Sequence, residues 1–198
     1  MRILIDLDGI VHDFNRAFID HYNSVADEMA SYHCPEWRFD HLANKAARMC
    51  TWEWVRHEPF WRSVPLLSEV ALSVIRGWHD AGDEIIIVTA PMNGASARVK
   101  WERFHAEFDF LDRGSLILGK AKHLVAGDML IDDKPANLLA YREHWPRAEL
   151  ATISWPYQDS ACEEMYQARV YCCGFWDEPD AAWGELDEQV AYYRGLRT

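Results

Sequence analysis

Ile3-Leu4-Ile5-Asp6-Leu7-Asp8-Gly9-Ile10-Val11-His12-Asp13-Phe14 decides how the chain is read. An apolar run of this length reads as a buried strand. Two carboxylates stand one residue apart at its end. A glycine follows and lets the backbone turn sharply. Alternate residues of a strand share a face, so the spacing predicts that Asp6 and Asp8 project together. Like charges that close repel unless a cation or a shared proton relieves them. Taken alone, the pair reads equally well as two solvated acids at a strand end, so the rest of the chain has to decide.

Downstream, residues 14–22 place aromatic and aliphatic side chains three and four apart, the spacing of an amphipathic helix. Residues 31–40 read as a loop broken at Cys34-Pro35 and carrying Trp37 and Phe39. Residues 41–49 have helical character, and residues 51–55 are ambiguous. Pro59-Phe60-Trp61 reads as an interruption, and Pro65 as the opening of a helix whose apolar side is Val70, Leu72, Val74 and Ile75. Glu84-Ile85-Ile86-Ile87-Val88-Thr89 is the strongest strand signal in the chain. A helix over 96–107 follows, then short strands over 115–118 and 129–131, the second ending at Asp132-Asp133. Pro135 starts a helix that runs to Arg142, and residues 149–153 form a last core strand. A helix from Glu178 would present Trp183, Leu186, Val190 and Tyr193 on one side.

Short apolar strands alternating with helices predict an α/β fold, a three-layer, Rossmann-like parallel sheet covered on both faces. In such sheets ligands sit at the carboxyl ends of the strands. Those ends here are Asp6-Leu7-Asp8, Thr89-Ala90-Pro91 and Asp132-Asp133. Residues 15–77 are longer than a simple crossover requires and read as a helical cap inserted after the first strand. Residues 1–14 and 78–198 then form the α/β core of a single unit.

Composition narrows the function classes. The chain has 198 residues, 49% of them hydrophobic and 26% charged, as in an ordinary globular protein. Its net charge of -12 argues against a nucleic-acid polymer or an anionic lipid surface as partner, but leaves room for a locally positive pocket. Ten tryptophans supply core and flat surfaces for stacking. The five cysteines show no paired metal-binding spacing and read as reduced thiols of a cytoplasmic protein. No signal peptide or membrane span is visible.

Four groups of residues resemble those of the haloacid dehalogenase superfamily of phosphotransferases: D-x-D-G after the first strand, a hydroxyl residue after the second, a lysine, and an acidic pair after a later strand. Asp6-Leu7-Asp8-Gly9-Ile10-Val11-His12-Asp13-Phe14 resembles the opening motif of the 5'(3')-deoxyribonucleotidases within it. Val88-Thr89-Ala90-Pro91 is similar to their T-S-P stretch. Lys122 followed by Gly127-Asp128-Met129-Leu130-Ile131-Asp132-Asp133 is similar to their lysine and G-D-L-L-I-D-D. Phe175-Trp176 and Trp183 echo their tryptophan-rich ending.

The resemblance implies a catalytic set of Asp6, Asp8, Thr89 and Lys122. Asp6 would be the nucleophile. Asp8 would be the general acid, then the base for the hydrolytic water. Thr89 would hold a phosphoryl oxygen, and Lys122 would neutralise the phosphoryl group and Asp6. The implied cofactor is Mg2+, held by the side chains of Asp6 and Asp132 and the backbone carbonyl of Asp8, with Asp133 acting through a metal-bound water or Lys122. Phe14, Trp37 and Phe39 are the expected aromatic contacts of the base. Two positions depart from the pattern. Ala90 stands where the family has serine, which loses a hydroxyl contact to phosphate. Lys120 stands where it has arginine, giving a point charge in place of a bidentate fork.

Separately, each signal has an ordinary explanation. Thr89 alone is a strand-end residue, Lys122 alone a solvated lysine, and Asp132-Asp133 alone a cap for the helix at Pro135. Their order at successive strand ends argues for a site. The expected activity is Mg2+-dependent hydrolysis of deoxyribonucleoside 5'(3')-monophosphates through an aspartyl-phosphate on Asp6. The partner is then a small nucleoside monophosphate, with a homodimer as one option for assembly. The alternatives are a phosphatase acting on another small ester such as a sugar phosphate, or a nucleotide-binding module without turnover.

Overall fold

A computed structural model describes residues 1–27 and 29–196. Among the described residues, six parallel strands form one sheet in the order β3-β2-β1-β4-β5-β6. They are β1 (Arg2–Ile5), β2 (Glu84–Thr89), β3 (Leu116–Leu118), β4 (Met129–Ile131), β5 (Glu149–Ser154) and β6 (Val170–Phe175). The central strand β1 pairs Ile3 with Ile85 on one side and with Met129 on the other. The chain winds outward through β2 and β3, then returns to β4 and winds the other way. The order therefore reverses between β1 and β4, and a crevice opens at their carboxyl ends. Asp6 and Asp132 follow those two ends directly.

Both faces of the sheet are covered, which is why Ile3, Leu4 and Ile5 are all fully buried. Ile3, Ile5, Ile85, Ile87 and Ile131 pack with α4 (Val70–Asp80) and α8 (Pro179–Leu196), chiefly through Trp78 and Trp183. Leu4, Val88, Leu130 and Leu150 face the opposite way, onto Leu138 and Tyr141 of α6 (Pro135–His144) and Met165 of α7 (Cys162–Gln167). Between β1 and α4 lie α1 (Phe14–Val25), α2 (Lys45–Trp54) and α3 (Glu58–Ser63). They enclose a separate cluster of Phe14, Phe18, Phe39, Phe60, Trp61 and Val64, which also takes in Val99 of α5 (Gly94–Glu107). Among the described residues no helix is long and apolar enough to cross a membrane.

Several local expectations are corrected. Pro59 does not interrupt a helix but lies in the first turn of α3, where a missing N–H costs nothing because that donor has no intrahelical partner. Pro65 does not open α4. Its carbonyl accepts from the Asp13 N–H, and Leu67 N–H donates to the Val11 carbonyl. The stretch is thus held extended against residues 11–13, and the helix begins only at Val70. β6 and α7 were not expected. β6 is an edge strand that leaves Tyr171, Cys172 and Phe175 exposed and contains Gly174, so it lacks the continuous apolar run that marks the inner strands.

All five cysteines are free thiols. Burial pushes the thiols of Cys34 and Cys173 up to about 12, leaving a thiolate share on the order of 10^-4 at pH 8. Thiol titration of the native protein at that pH should modify the exposed Cys50, Cys162 and Cys172 and spare the buried Cys34 and Cys173, with all five reacting in guanidinium. Prompt native labelling of Cys34 would contradict its place in the helical cluster.

Candidate active site

β1 stops at Ile5, and the next two residues end the strand by using their hydrogen bonds differently. Asp6 N–H still donates to the Ile131 carbonyl of β4 at 2.9 Å, whereas Leu7 N–H donates to the Asp6 side chain at 2.8 Å. Residues 7–12 then close on themselves. The Leu7 carbonyl accepts from both Val11 and His12 N–H at 2.8 Å, and Gly9 N–H donates to the His12 carbonyl at 2.8 Å. Asp8 lies past the end of β1, in this turn, yet its charge still bears on Asp6 and adds to the rise of the Asp6 pKa. Their carboxylates engage different lysines.

Gly9 holds this turn with φ +80°, and a Cβ there would lie 2.5 Å from Asp133 Oδ2. The left-handed conformation alone costs a non-glycine residue about 1–2 kcal/mol, and the clash with a buried carboxylate adds to it. Gly9→Ala is expected to lower the unfolding free energy by at least about 2 kcal/mol in urea titration. A wild-type midpoint would mean that the turn is not closed as described.

Asp6 meets Lys122. The Lys122 ammonium lies 2.5 Å from Asp6 Oδ2 and 2.5 Å from Asp132 Oδ2, almost wholly buried. Asp132 is fixed further by Lys134 N–H at 2.9 Å and by the Asn137 amide at 3.0 and 3.1 Å, so it also anchors the start of α6. Asp133 accepts a hydrogen bond from the Tyr157 hydroxyl at 2.5 Å, and its carbonyl accepts from the Gln158 amide at 2.7 Å. Oxygens of Asp6, Asp132 and Asp133 all lie within 4.8 Å of one another.

Electrostatics follows from that crowding. Burial, reinforced by Asp132, pushes the Asp6 carboxyl up to about 6 against the pull of Lys122 and Lys100. Burial, followed by Asp132 and Asp6, holds Asp133 well above the carboxylate range. Burial works against the charge of Lys122, but Asp132 and Asp6 more than offset it and raise its pKa. Two of these carboxyl groups, Asp6 and Asp132, thus share the Lys122 ammonium, while Asp133 is held by the Tyr157 hydroxyl. A hard, all-oxygen donor set with surplus negative charge suits a divalent cation such as Mg2+.

Asp8 meets a residue that sequence reasoning missed. Lys100 of α5 donates to Asp8 Oδ2 at 2.5 Å and to Thr89 Oγ1 at 2.7 Å. Ser96, Val99, Lys100 and Phe104 form the buried side of α5. A lysine at an apolar position of a helical stripe was the available signal. Thr89 is fully buried at the end of β2.

The other expected residues fall in several places. The Phe14 ring lies 5.6 Å from Trp61, and Trp61 lies 5.4 Å from the Lys100 ammonium. Phe39 has no exposed surface and stacks on Phe18 at 4.0 Å, so it packs the helical cluster and presents no free face. Trp37 is 37% exposed and sits edge-on to Tyr157 at 5.1 Å, with the Lys134 ammonium 5.6 Å from its ring. It stands on the Asp133 side of the crevice, apart from Phe14. Ala90 is half-buried just beyond β2, and Lys120 is exposed.

Residues 1–154 match the family described as 5' nucleotidase, deoxy (pyrimidine), cytosolic type C protein. A Bordetella pertussis protein provisionally named a 5'(3')-deoxyribonucleotidase is 31% identical over 157 residues, spanning 73% of this chain and 80% of its own. A like-named protein of Bordetella bronchiseptica is 29% identical over the same shares. Among solved structures, a provisionally named haloacid dehalogenase-like hydrolase of Burkholderia xenovorans superposes with a TM-score of 0.54. That match has 15% identity and covers 91% of this chain and 96% of the other, which shows a shared fold. A crevice lined by the acids of two adjacent strand ends and two buried lysines, on this fold and with these relatives, identifies the chain as a 5'-nucleotidase-type phosphatase belonging to the deoxy (pyrimidine) cytosolic type C 5' nucleotidase family.

Proposed function

We propose that the chain hydrolyses deoxyribonucleoside monophosphates to nucleoside and phosphate, with Asp6 as nucleophile. The observation that carries the reading is the pairing of two buried lysines with three carboxylates. Lys122 lies between Asp6 and Asp132, while Lys100 joins Asp8 to Thr89. A phosphate ester arriving in this crevice would meet positive charge, with Asp6 to attack its phosphorus and Asp8 to protonate its leaving oxygen.

In the first half-reaction an Asp6 oxygen forms a bond to phosphorus as the ester P–O bond breaks. Asp8 delivers a proton to the departing nucleoside oxygen. In the second, Asp8 takes a proton from water, whose oxygen attacks the aspartyl-phosphate, releasing phosphate and restoring Asp6. Lys122, Lys100 and Thr89 hold the phosphoryl oxygens and offset their charge in a site shielded from water. Asp6, Asp132 and Asp133 would hold Mg2+, with the Asp8 carbonyl as a further ligand. The ion supplies charge neutralisation between the anionic ester and the carboxylates.

The helices before α4 serve as a cap. Its extent is better set at residues 14–64 than at 15–77, since Ala71, Ile75 and Trp78 of α4 pack with the sheet. Trp61, beside the Lys100 ammonium, and Phe14, beside Trp61, serve as walls for the base. Base–aromatic stacking is worth about 1–3 kcal/mol.

The test is phosphate release from a panel of deoxyribo- and ribonucleoside monophosphates, sugar phosphates and p-nitrophenyl phosphate, with Mg2+ and with EDTA. Release is expected to require the cation and to be fastest for the deoxyribonucleotides. Equal rates on sugar phosphates would overturn the substrate assignment. Full activity in EDTA would overturn the cation assignment, and no release from any ester would favour a binding module.

A further inference from the structure

Among the buried polar residues that the mechanism leaves unused, one adjoins the turn that carries Asp8. His12 is 2% exposed and sits at the far end of the turn that carries Asp8. Its Nε2 lies 2.7 Å from Glu107 Oε2. Burial lowers the His12 pKa despite that neighbour, and Nε2–H donates to the carboxylate, which can only accept. Arg103 donates to the other Glu107 oxygen at 2.7 Å and to the Val64 carbonyl at 2.6 Å. Lys100, Arg103 and Glu107 are spaced by three and four on α5 and so share one side of it. One helix side therefore grips the turn twice, at Asp8 through Lys100 and at His12 through Glu107.

The backbone makes this grip consequential. His12 N–H and carbonyl close the turn through Leu7 and Gly9, and His12 bridges Leu66 on the returning segment. Asp8 is itself partly exposed, and its carboxylate bonds to the ammonium at the end of the long, unbranched Lys100 side chain. The Trp155 and Trp183 indoles hold the middle of the turn, at the Gly9 carbonyl (2.8 Å) and the Ile10 carbonyl (3.3 Å), but without the bond to Glu107 the His12 end that closes it can shift and carry the Asp8 carboxyl away from a leaving oxygen. We propose that His12, through its bond to Glu107, is a positioning residue that holds Asp8 in line with the leaving group. This rests on the reading of Asp8 as proton donor.

A positioning role predicts a loss that depends on the leaving group, since a good leaving group departs without a proton and a poor one does not. The comparison is kcat/KM for phenyl phosphate against p-nitrophenyl phosphate, because kcat/KM reports the step in which the leaving group departs. His12→Phe and Glu107→Ala are expected to lose about tenfold on phenyl phosphate and less than threefold on p-nitrophenyl phosphate. His12→Gln, whose amide nitrogen reaches the place of Nε2, should stay within threefold of wild type on both. Glu107→Ala, on the more exposed side of the pair, decides the matter if His12→Phe does not fold.

Equal fractional losses on the two esters, or none in a folded variant, would overturn the inference. Asp8→Asn in the same assay separates the two levels. If it splits the esters and the His12 and Glu107 variants do not, the role of Asp8 stands and that of His12 falls. If Asp8→Asn itself shows no split, both fall.

Discussion

Asp6→Asn is expected to reduce phosphate release by on the order of 10^4 or more while leaving the protein as stable as wild type, or more so. The activity loss follows from the chemistry. An amide cannot form the acyl-phosphate bond, and removing a covalent nucleophile commonly costs 10^4 to 10^6 in turnover. The stability expectation follows from the electrostatics. In the absence of a divalent cation the Asp6 carboxyl is pushed up to about 6, chiefly by burial. Relative to a free side chain, that corresponds to about 3 kcal/mol of unfavourable interaction at neutral pH. A neutral amide of the same shape escapes most of it.

The sign fixes the pH dependence. A carboxyl whose folded pKa lies above its unfolded value binds its proton more tightly when folded. It therefore destabilises the fold as pH rises from about 4 to about 6, and the full penalty is present above that. Urea titrations of EDTA-treated protein at pH 4.5 and 7 should show the wild type losing stability across this window relative to Asp6→Asn. Thermal denaturation in Mg2+ should close the gap between the two, because the cation stabilises the ionised form that only the wild type has. Phosphate release by the variant within tenfold of wild type would remove Asp6 from the role of nucleophile, and loss of its fold at neutral pH would overturn the electrostatic account of its stability.

These outcomes also show why the acidic half of the site was legible in sequence. Asp6, Asp132 and Asp133 follow inner strands whose apolar runs are unmistakable, and strand order in a parallel sheet brings such ends together. The burial of Thr89 at the end of β2 is legible on the same ground. What could not be read is what depends on side-chain direction. Asp6 and Asp8 look equivalent until the turn at Gly9 assigns them to different lysines. Trp37 and Phe39 are two residues apart, yet one packs on Tyr157 and the other on Phe18. Phe39 takes a left-handed φ of 57°, a local choice that no periodicity encodes. β6 lacks an inner strand's signature because one of its edges faces solvent. Lys100 was overlooked because a lysine in a helix usually marks the solvated side.

Lys100→Met is accordingly the most informative single change on the basic half of the site. It is expected to lower kcat/KM for phosphate esters by about 10^2 to 10^3, the usual effect of removing one preorganised charge-stabilising donor. Methionine keeps the length and packing of the stem beneath Trp61 and removes only the ammonium. Asp8 and Thr89 then lose their common partner. Asp8 retains some exposure, so water can solvate it. The stability cost should therefore stay well below the 3–5 kcal/mol of breaking a fully buried pair. A second readout avoids turnover altogether, since protection by inorganic phosphate against thermal unfolding should weaken in the same variant, as the ammonium contacts the phosphoryl oxygens. Lys100→Arg should not rescue either property. The planar guanidinium is wider than the slot between Asp8, Thr89 and Trp61, and its hydrogen bonds fan out where two convergent acceptors require a point donor. A Lys100→Met enzyme that hydrolyses phosphate esters within twofold of wild type would reduce the lysine to a buried counterion of Asp8. Lys122 would then be the only buried lysine of the site left to meet the phosphoryl group.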